Sequence, residues 1–119
     1  MKLLHSFRHA FRGLAIAFRT QLNFRIHCLT AAATLALGLF FSISPAEWIA
    51  LSLAIALVLA AELFNTALEH LADRITTDHD PLIGKAKDLS AAAVLIFSLA
   101  AATTGLIIFL PRVLSLLST

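Results

Sequence analysis

Four polar residues recur at spacings that place them on one face of a helix. Glu62, Asn65, Glu69 and Asp73 are three or four residues apart, so at 100° per residue their side chains fall within about 80° of one another. We call these four residues the polar stripe. Hard divalent cations such as Mg²⁺ prefer carboxylate and amide oxygens, so the spacing predicts a site that handles a metal ion or a proton.

The surroundings of the polar stripe are apolar. The chain has 119 residues, of which 60% are hydrophobic and 13% are charged, whereas a soluble domain carries about 25% charged residues. This composition predicts a single all-α integral membrane domain over residues 1–119. An ionisable side chain at membrane depth costs roughly 2.5–3.5 kcal/mol, so Glu62 and Asn65 are expected to have a use. Alternatively, Glu69 and Asp73 form an ordinary solvated face.

Three apolar runs predict membrane-spanning helices at about 26–44, 46–72 and 88–110. A span needs roughly 20 mostly apolar residues, and the second run reaches that length only if its helix continues past Glu62. The polar stripe is therefore expected at the inner membrane interface. Pro45, Pro81 and Pro111 lie at the edges of the runs, where a helix can start or stop.

Positive charges are distributed unequally around these runs. Eight of the nine Lys and Arg residues precede the first run or lie between the second and third, and only Arg112 lies elsewhere. This distribution predicts a cytoplasmic N-terminus and an outward C-terminus, with Trp48 as an outer interfacial anchor.

Residues 2–20 have the periodicity of an amphipathic helix. One face carries Leu4, Phe7, Phe11, Leu14 and Phe18, and Arg8, Arg12 and Arg19 lie beside it. We expect this helix to lie on the inner leaflet with its arginines toward anionic headgroups, either as an anchor alone or also as part of an anion site. We expect no nucleic-acid partner.

Cations follow the polar stripe in the chain, with Lys85 and Lys87 just before Asp88. Carboxylates and cations together at the inner leaflet suggest a phosphate-bearing ligand and a lipid acceptor, because phosphoryl transfer depends on positioning and charge neutralisation. The sequence contains neither a P-loop nor a glycine-rich kinase loop.

The run from Ala61 to Arg74, followed by Ala86-Lys87-Asp88, resembles the prokaryotic diacylglycerol kinase and undecaprenol kinase family of small membrane lipid kinases. The segment from Asn23 to His27 is similar to the start of the first span in undecaprenol kinase members. The resemblance covers nearly the whole chain. It implies a homotrimer in the bacterial inner membrane, with active sites between subunits, that transfers the γ-phosphoryl group of MgATP to a lipid hydroxyl.

The resemblance also implies roles for individual residues. Glu62 would be the general base and Glu69 would bind Mg²⁺. The phosphate and substrate sites would be shaped by Asn65, Asp73, Lys87 and Asp88, with Arg12 as a further anion-binding candidate. The family usually has a glutamate as second metal ligand where this chain has Gln21, which can coordinate Mg²⁺ only through an uncharged carbonyl.

Two alternatives to an active kinase stay open at this point. Intramembrane carboxylates also mark ion pathways, although the second run is apolar from Trp48 to Ala61 and offers no polar route through the outer half. Gln21 would suit a catalytically weakened relative. The lipid acceptor is either diacylglycerol or undecaprenol, and the Asn23–His27 and Pro81-Leu82 segments favour undecaprenol.

Overall fold

The computed structural model describes all residues 1–119 and consists of four α-helices joined by short connections. The helices are α1 (Lys2–Thr20), α2 (Leu22–Phe40), α3 (Pro45–Ile75) and α4 (Pro81–Leu117). The last three are each long and apolar enough to cross a membrane. The all-helical architecture with three long apolar helices is therefore confirmed.

Local capping explains where α3 and α4 begin. The Ser44 hydroxyl accepts a hydrogen bond from the Glu47 amide at 3.2 Å, and the Glu47 carboxylate accepts one from the Ser44 amide at 3.0 Å. The Asp80 carboxylate accepts from the amides of Leu82 and Ile83 at 2.9 and 3.1 Å. A proline follows each cap at the first helical position, where its missing N–H costs nothing. Both prolines thus begin helices, as their positions predicted.

The position of Pro111 differs from the sequence-based expectation. It lies inside α4, which continues to Leu117, so the expectation that a helix starts or stops there is wrong. A proline inside a helix removes one hydrogen bond, here the bond to the Ile107 carbonyl. The adjacent Arg112 guanidinium donates to the Ile108 carbonyl at 2.6 Å and also pairs with Glu47 on α3. These contacts hold the chain in helical register beyond the proline.

α3 and α4 form the most extensive helix pair, while α2 packs on α3, and α1 contacts both α2 and α3. Ion pairs join α3 to α4 near both ends, Glu47 with Arg112 and Asp73 with Lys87. The two α3 positions are about 39 Å apart along the helix axis and the two α4 positions about 38 Å. The helices are therefore antiparallel and in matched register. We call their two ends the Glu47 end and the Asp73 end.

The buried core is small and lies toward the Glu47 end. Ile43, Leu51, Ile108 and Phe109 form its cluster, and only 12 of the 119 residues are buried. Large apolar side chains are exposed along every helix, a surface that water would not support over so much area. Lipid chains or further protein must therefore cover the apolar flanks of α2, α3 and α4.

Candidate active site

The polar stripe on α3 grades from buried to exposed. Glu62 is 4% exposed, Asn65 and Glu69 are half-buried, and Asp73 is exposed. α3 has 31 residues, so it is about 46 Å long and exceeds a hydrocarbon core of about 30 Å. Glu62 lies about 26 Å from the start of the helix. Glu62 is therefore expected near the edge of the hydrocarbon layer. The other three residues of the polar stripe would then extend toward the headgroups and water.

Asn65 and Glu69 are brought together by one turn of α3. The Asn65 side-chain amide donates to a Glu69 carboxylate oxygen at 3.4 Å. The Asn65 carbonyl oxygen is buried and has no hydrogen-bond partner. A buried polar atom normally has a hydrogen-bond partner. This carbonyl oxygen lies beside a carboxylate and is therefore suited to bind a cation.

That oxygen set fits Mg²⁺ in one specific way. The chain gathers no group of three or more His, Cys, Asp or Glu side chains, so it does not form an all-protein cage. Mg²⁺ is commonly bound by one or two carboxylates together with substrate phosphates and water. Glu69 and the carbonyl of Asn65 match this partial ligand set.

Asp73 pairs with Lys87 across the α3–α4 interface, with 2.6 Å between the Asp73 oxygen and the ammonium nitrogen. Both side chains are partly exposed, at 55% and 37%. The next residue, Asp88, is exposed. Two residues expected at a phosphate site are thus in contact, although they are 14 positions apart in the chain.

Glu62 has a partner that sequence analysis missed. The His27 Nε2 atom on α2 lies 3.3 Å from a Glu62 carboxylate oxygen. His27 belongs to the segment that carried the family resemblance, but no spacing within one helix could have placed it against α3. The partner therefore became visible only once α2 was packed on α3.

An apolar cleft between α2, α3 and α4 reaches the buried end of the polar stripe. Its volume is about 540 Å³, and its lining includes Ile26, His27, Val58, Leu59, Ala102 and Phe109. A cleft of this character suits a hydrocarbon chain. His27 links the cleft to the polar stripe, because it lines the cleft and its Nε2 atom lies 3.3 Å from the Glu62 carboxylate.

Residues 8–109 of the chain match the family model described as prokaryotic diacylglycerol kinase. The chain belongs to this family. It is 41% identical to the undecaprenol kinase of Bacillus subtilis (strain 168), covering 93% of this chain and 90% of that protein. It is 40% identical to the diacylglycerol kinase of Synechocystis sp., covering 97% of this chain and 66% of that protein. It is 26% identical to the diacylglycerol kinase of Escherichia coli (strain K12), covering 90% and 88%.

Membership of the prokaryotic diacylglycerol kinase family confirms the resemblance. The chain is a phosphotransferase of a lipid kinase family. With its three long apolar helices, it is a multi-pass membrane protein. The polar stripe is the candidate active site of this kinase.

Two residues expected at the site are not assembled with the polar stripe within one chain. Gln21 lies in the extended junction between α1 and α2, and its side-chain amide donates to the Thr20 hydroxyl at 3.3 Å, with no hydrogen bond to Glu69. Arg12 lies exposed on α1 and makes no side-chain hydrogen bond. Their roles in this family member stay predictions.

Proposed function

We propose that this kinase transfers the γ-phosphoryl group of ATP to the hydroxyl of a membrane lipid, with undecaprenol preferred over diacylglycerol. The observation that carries the proposal is the polar stripe. Its buried carboxylate contacts His27 in the lining of an apolar cleft, and Asp73 at its exposed end contacts a lysine. The similarity to the Bacillus undecaprenol kinase over nearly the full length of both chains supports the choice of acceptor.

Glu62 would act as the general base. It is the most buried member of the polar stripe and lies where an acceptor whose chain occupied the cleft would present its hydroxyl. It would take the hydroxyl proton while the acceptor oxygen forms a bond to the γ-phosphorus. The bond to ADP breaks and its electron pair leaves with ADP. A well-placed base contributes typically 10²–10⁴-fold in rate.

Glu69 and Asn65 would hold Mg²⁺. The unpartnered Asn65 carbonyl and the adjacent Glu69 carboxylate support this assignment. When bound with ATP, Mg²⁺ neutralises charge on the phosphate oxygens. Gln21 would add an uncharged oxygen, which requires that its side chain leave Thr20.

Lys87 would contact the transferred phosphate, and Asp73 would hold its ammonium group in place. Asp88 and Arg12 would complete the phosphate and substrate site from the start of α4 and from α1. An ammonium group is a compact point charge with three donors, so one donor can stay on Asp73 while others reach a phosphate.

Charge and exposure support a membrane orientation for this chain, and the family resemblance supports its assembly as a trimer. We propose that the protein lies in the bacterial inner membrane as a homotrimer, with the Asp73 end and the N-terminus in the cytoplasm and the C-terminus outside. α1 would lie on the inner leaflet, because its exposed phenylalanines, Phe7, Phe11 and Phe18, share one face and its arginines lie beside that face. The domain would comprise residues 1–119.

The test is a transfer assay with purified protein in lipid vesicles that contain either undecaprenol or diacylglycerol, supplied with MgATP labelled at the γ-phosphate. We expect labelled undecaprenyl phosphate as the main product. We expect Glu62→Gln to lose activity by on the order of 10²–10⁴-fold. Glu47→Gln is the matched control, because it makes the same change at the other end of α3.

The outcomes separate the parts of the proposal. Faster transfer to diacylglycerol would overturn the choice of acceptor. Full activity of Glu62→Gln would remove the general-base assignment. Absence of labelled lipid with either acceptor, in protein that is folded and embedded in the vesicles, would overturn the kinase proposal.

A further inference from the structure

His27 forms the one ion-pair contact that the structure gives the candidate base, Glu62. Its Nε2 atom lies 3.3 Å from a Glu62 carboxylate oxygen, close to but not aligned as a hydrogen bond. The contact joins α2 to α3 at the inner end of the apolar cleft, which His27 also lines. Nothing in the proposed transfer step so far uses this residue.

The two partners differ in burial. The Glu62 side chain is 5% exposed and the His27 side chain is 25% exposed. Burying a carboxylate without a polar partner costs free energy. Without such a partner, nothing fixes the orientation of the carboxylate. The imidazole supplies that partner, and it covers the carboxylate on the side facing α2.

The identity of the partner matters for a base. A permanent cation such as Arg at this place would favour the charged carboxylate and weaken it as a proton acceptor. A neutral imidazole carries one N–H donor, so Nε2–H can donate to one Glu62 oxygen and leave the other free for a substrate hydroxyl. The two atoms are 3.3 Å apart without forming an aligned hydrogen bond. Catalytic hydrogen bonds are often long or poorly aligned before the substrate binds.

We propose that His27 is a positioning residue, whose neutral imidazole donates from Nε2 to Glu62 and aims the free carboxylate oxygen at the hydroxyl of the lipid acceptor. This inference rests on the proposed function, because it assigns His27 a task only if Glu62 is the base. His27 does not touch the transferred phosphate, and it acts on the rate through Glu62.

The experiment compares His27→Phe with His27→Gln in the vesicle assay, using undecaprenol and MgATP. Phe has similar bulk without a donor, whereas Gln places an N–H donor at a comparable reach. Misplacing a reacting group by about 1 Å can cost on the order of 100-fold, so we expect His27→Phe to lower kcat by about that factor. We expect the KM values for ATP and lipid to stay within about twofold, because the lost contact orients the base and does not bind either substrate.

The conservative variant provides the readout that a merely structural role would not give. We expect His27→Gln to recover kcat by about tenfold over His27→Phe. That factor corresponds to about 1.4 kcal/mol, close to the lower value of one hydrogen bond to a charged group. Cys28→Ala is the matched control, because Cys28 is the neighbouring α2 residue and is also half-buried. It should keep wild-type kcat. If His27→Phe is recovered only as aggregate, His27→Ala assayed with and without added imidazole decides the question, and we expect stimulation.

Failure of this inference can be told apart from failure of the proposed function. An active wild type, an inactive Glu62→Gln and a fully active His27→Phe would remove the role of His27 alone. Equal kcat in the Gln and Phe variants, or no stimulation by imidazole, would show that the contact only packs α2 on α3. A wild type that transfers no phosphate to either lipid, or a fully active Glu62→Gln, would remove the proposed base and His27's role with it.

Discussion

The two ends of the α3–α4 pair are both joined by an ion pair, but the pairs are built differently. At the Glu47 end, the Arg112 guanidinium donates to both Glu47 oxygens at 2.7 and 2.8 Å and to the Ile108 carbonyl at 2.6 Å. The Glu47 carboxylate also caps α3 through Ser44. At the Asp73 end, a single ammonium-to-carboxylate contact of 2.6 Å joins Lys87 and Asp73.

The two ion pairs differ in how firmly they fix their side chains. A bidentate Arg–carboxylate pair fixes geometry because planar donors meet planar acceptors. A lysine on one carboxylate keeps donors available and can turn toward another anion. The Glu47 end thus has the more rigid pairing, whereas the Lys87 ammonium at the Asp73 end is partly exposed and makes a single contact. The small buried core also lies toward the Glu47 end.

Removing the cation at each end of the helix pair in turn tests this difference most directly. We expect Lys87→Met to lower kcat/KM for ATP-dependent transfer by on the order of 100-fold, the usual cost of losing one donor to a charged transition state. We expect Arg112→Met to keep the transfer rate of folded protein close to wild type and to lower thermal stability. Transfer assays and thermal unfolding in the same detergent measure both effects. Equal loss of activity in the two variants would contradict the assignment of separate tasks.

Close packing near the Glu47 end should make it sensitive to a single methyl group. A Cβ atom added at Gly38 would lie 2.7 Å from the Trp48 ring, and that ring is a rigid neighbour. We expect Gly38→Ala to destabilise the fold by about 1–3 kcal/mol, measured by chemical denaturation in detergent micelles. Gly105→Ala is the control, because a Cβ at Gly105 meets nothing within 4 Å. A Gly38→Ala protein as stable as wild type would show that this end is packed more loosely than the geometry indicates.

The Asp73 end should respond instead to a change of ligand charge. Gln21→Glu supplies a carboxylate at the position where the family usually has one, and the number of charged ligands tunes cation affinity. We expect the Mg²⁺ concentration for half-maximal transfer to fall by about tenfold, equivalent to roughly 1.4 kcal/mol. Thr20→Val is a useful companion, because it removes the hydroxyl that Gln21 contacts. An unchanged Mg²⁺ dependence in Gln21→Glu would remove Gln21 from the metal site.

Sequence analysis reached the features that depend on neighbours along the chain. The polar stripe, the four-helix order and the starts at Pro45 and Pro81 are local, since periodicity and capping act within a few residues. It did not reach the His27–Glu62 contact or the pairing of Asp73 with Lys87. Those contacts depend on how each helix is rotated and where it sits against its neighbour, which no single helix encodes.

Pro111 and Ser44 illustrate two further reasons for error. The local rule that a proline ends a helix failed at Pro111, where Arg112 donates to the Ile108 carbonyl within α4 and makes a tertiary contact with Glu47 on α3. The capping box of Ser44 and Glu47 was present in the sequence as Ser-x-x-Glu. Sequence analysis could have found this cap, because its signal is contained in four neighbouring residues.

Ser44→Ala tests how much the stability of the Glu47 end depends on that local cap, and we expect it to have a small effect. Ser44→Ala removes the hydroxyl that accepts from the Glu47 amide, and loss of such a cap costs about 1 kcal/mol. The Arg112 contacts stay in place, so we expect a modest fall in unfolding free energy and no change in kcat. Thr103→Ala is the control, because it removes an exposed hydroxyl that bonds only within α4. If Ser44→Ala also lowered the transfer rate, the two ends would be coupled through α3, and the Glu47 end could no longer be described as purely structural.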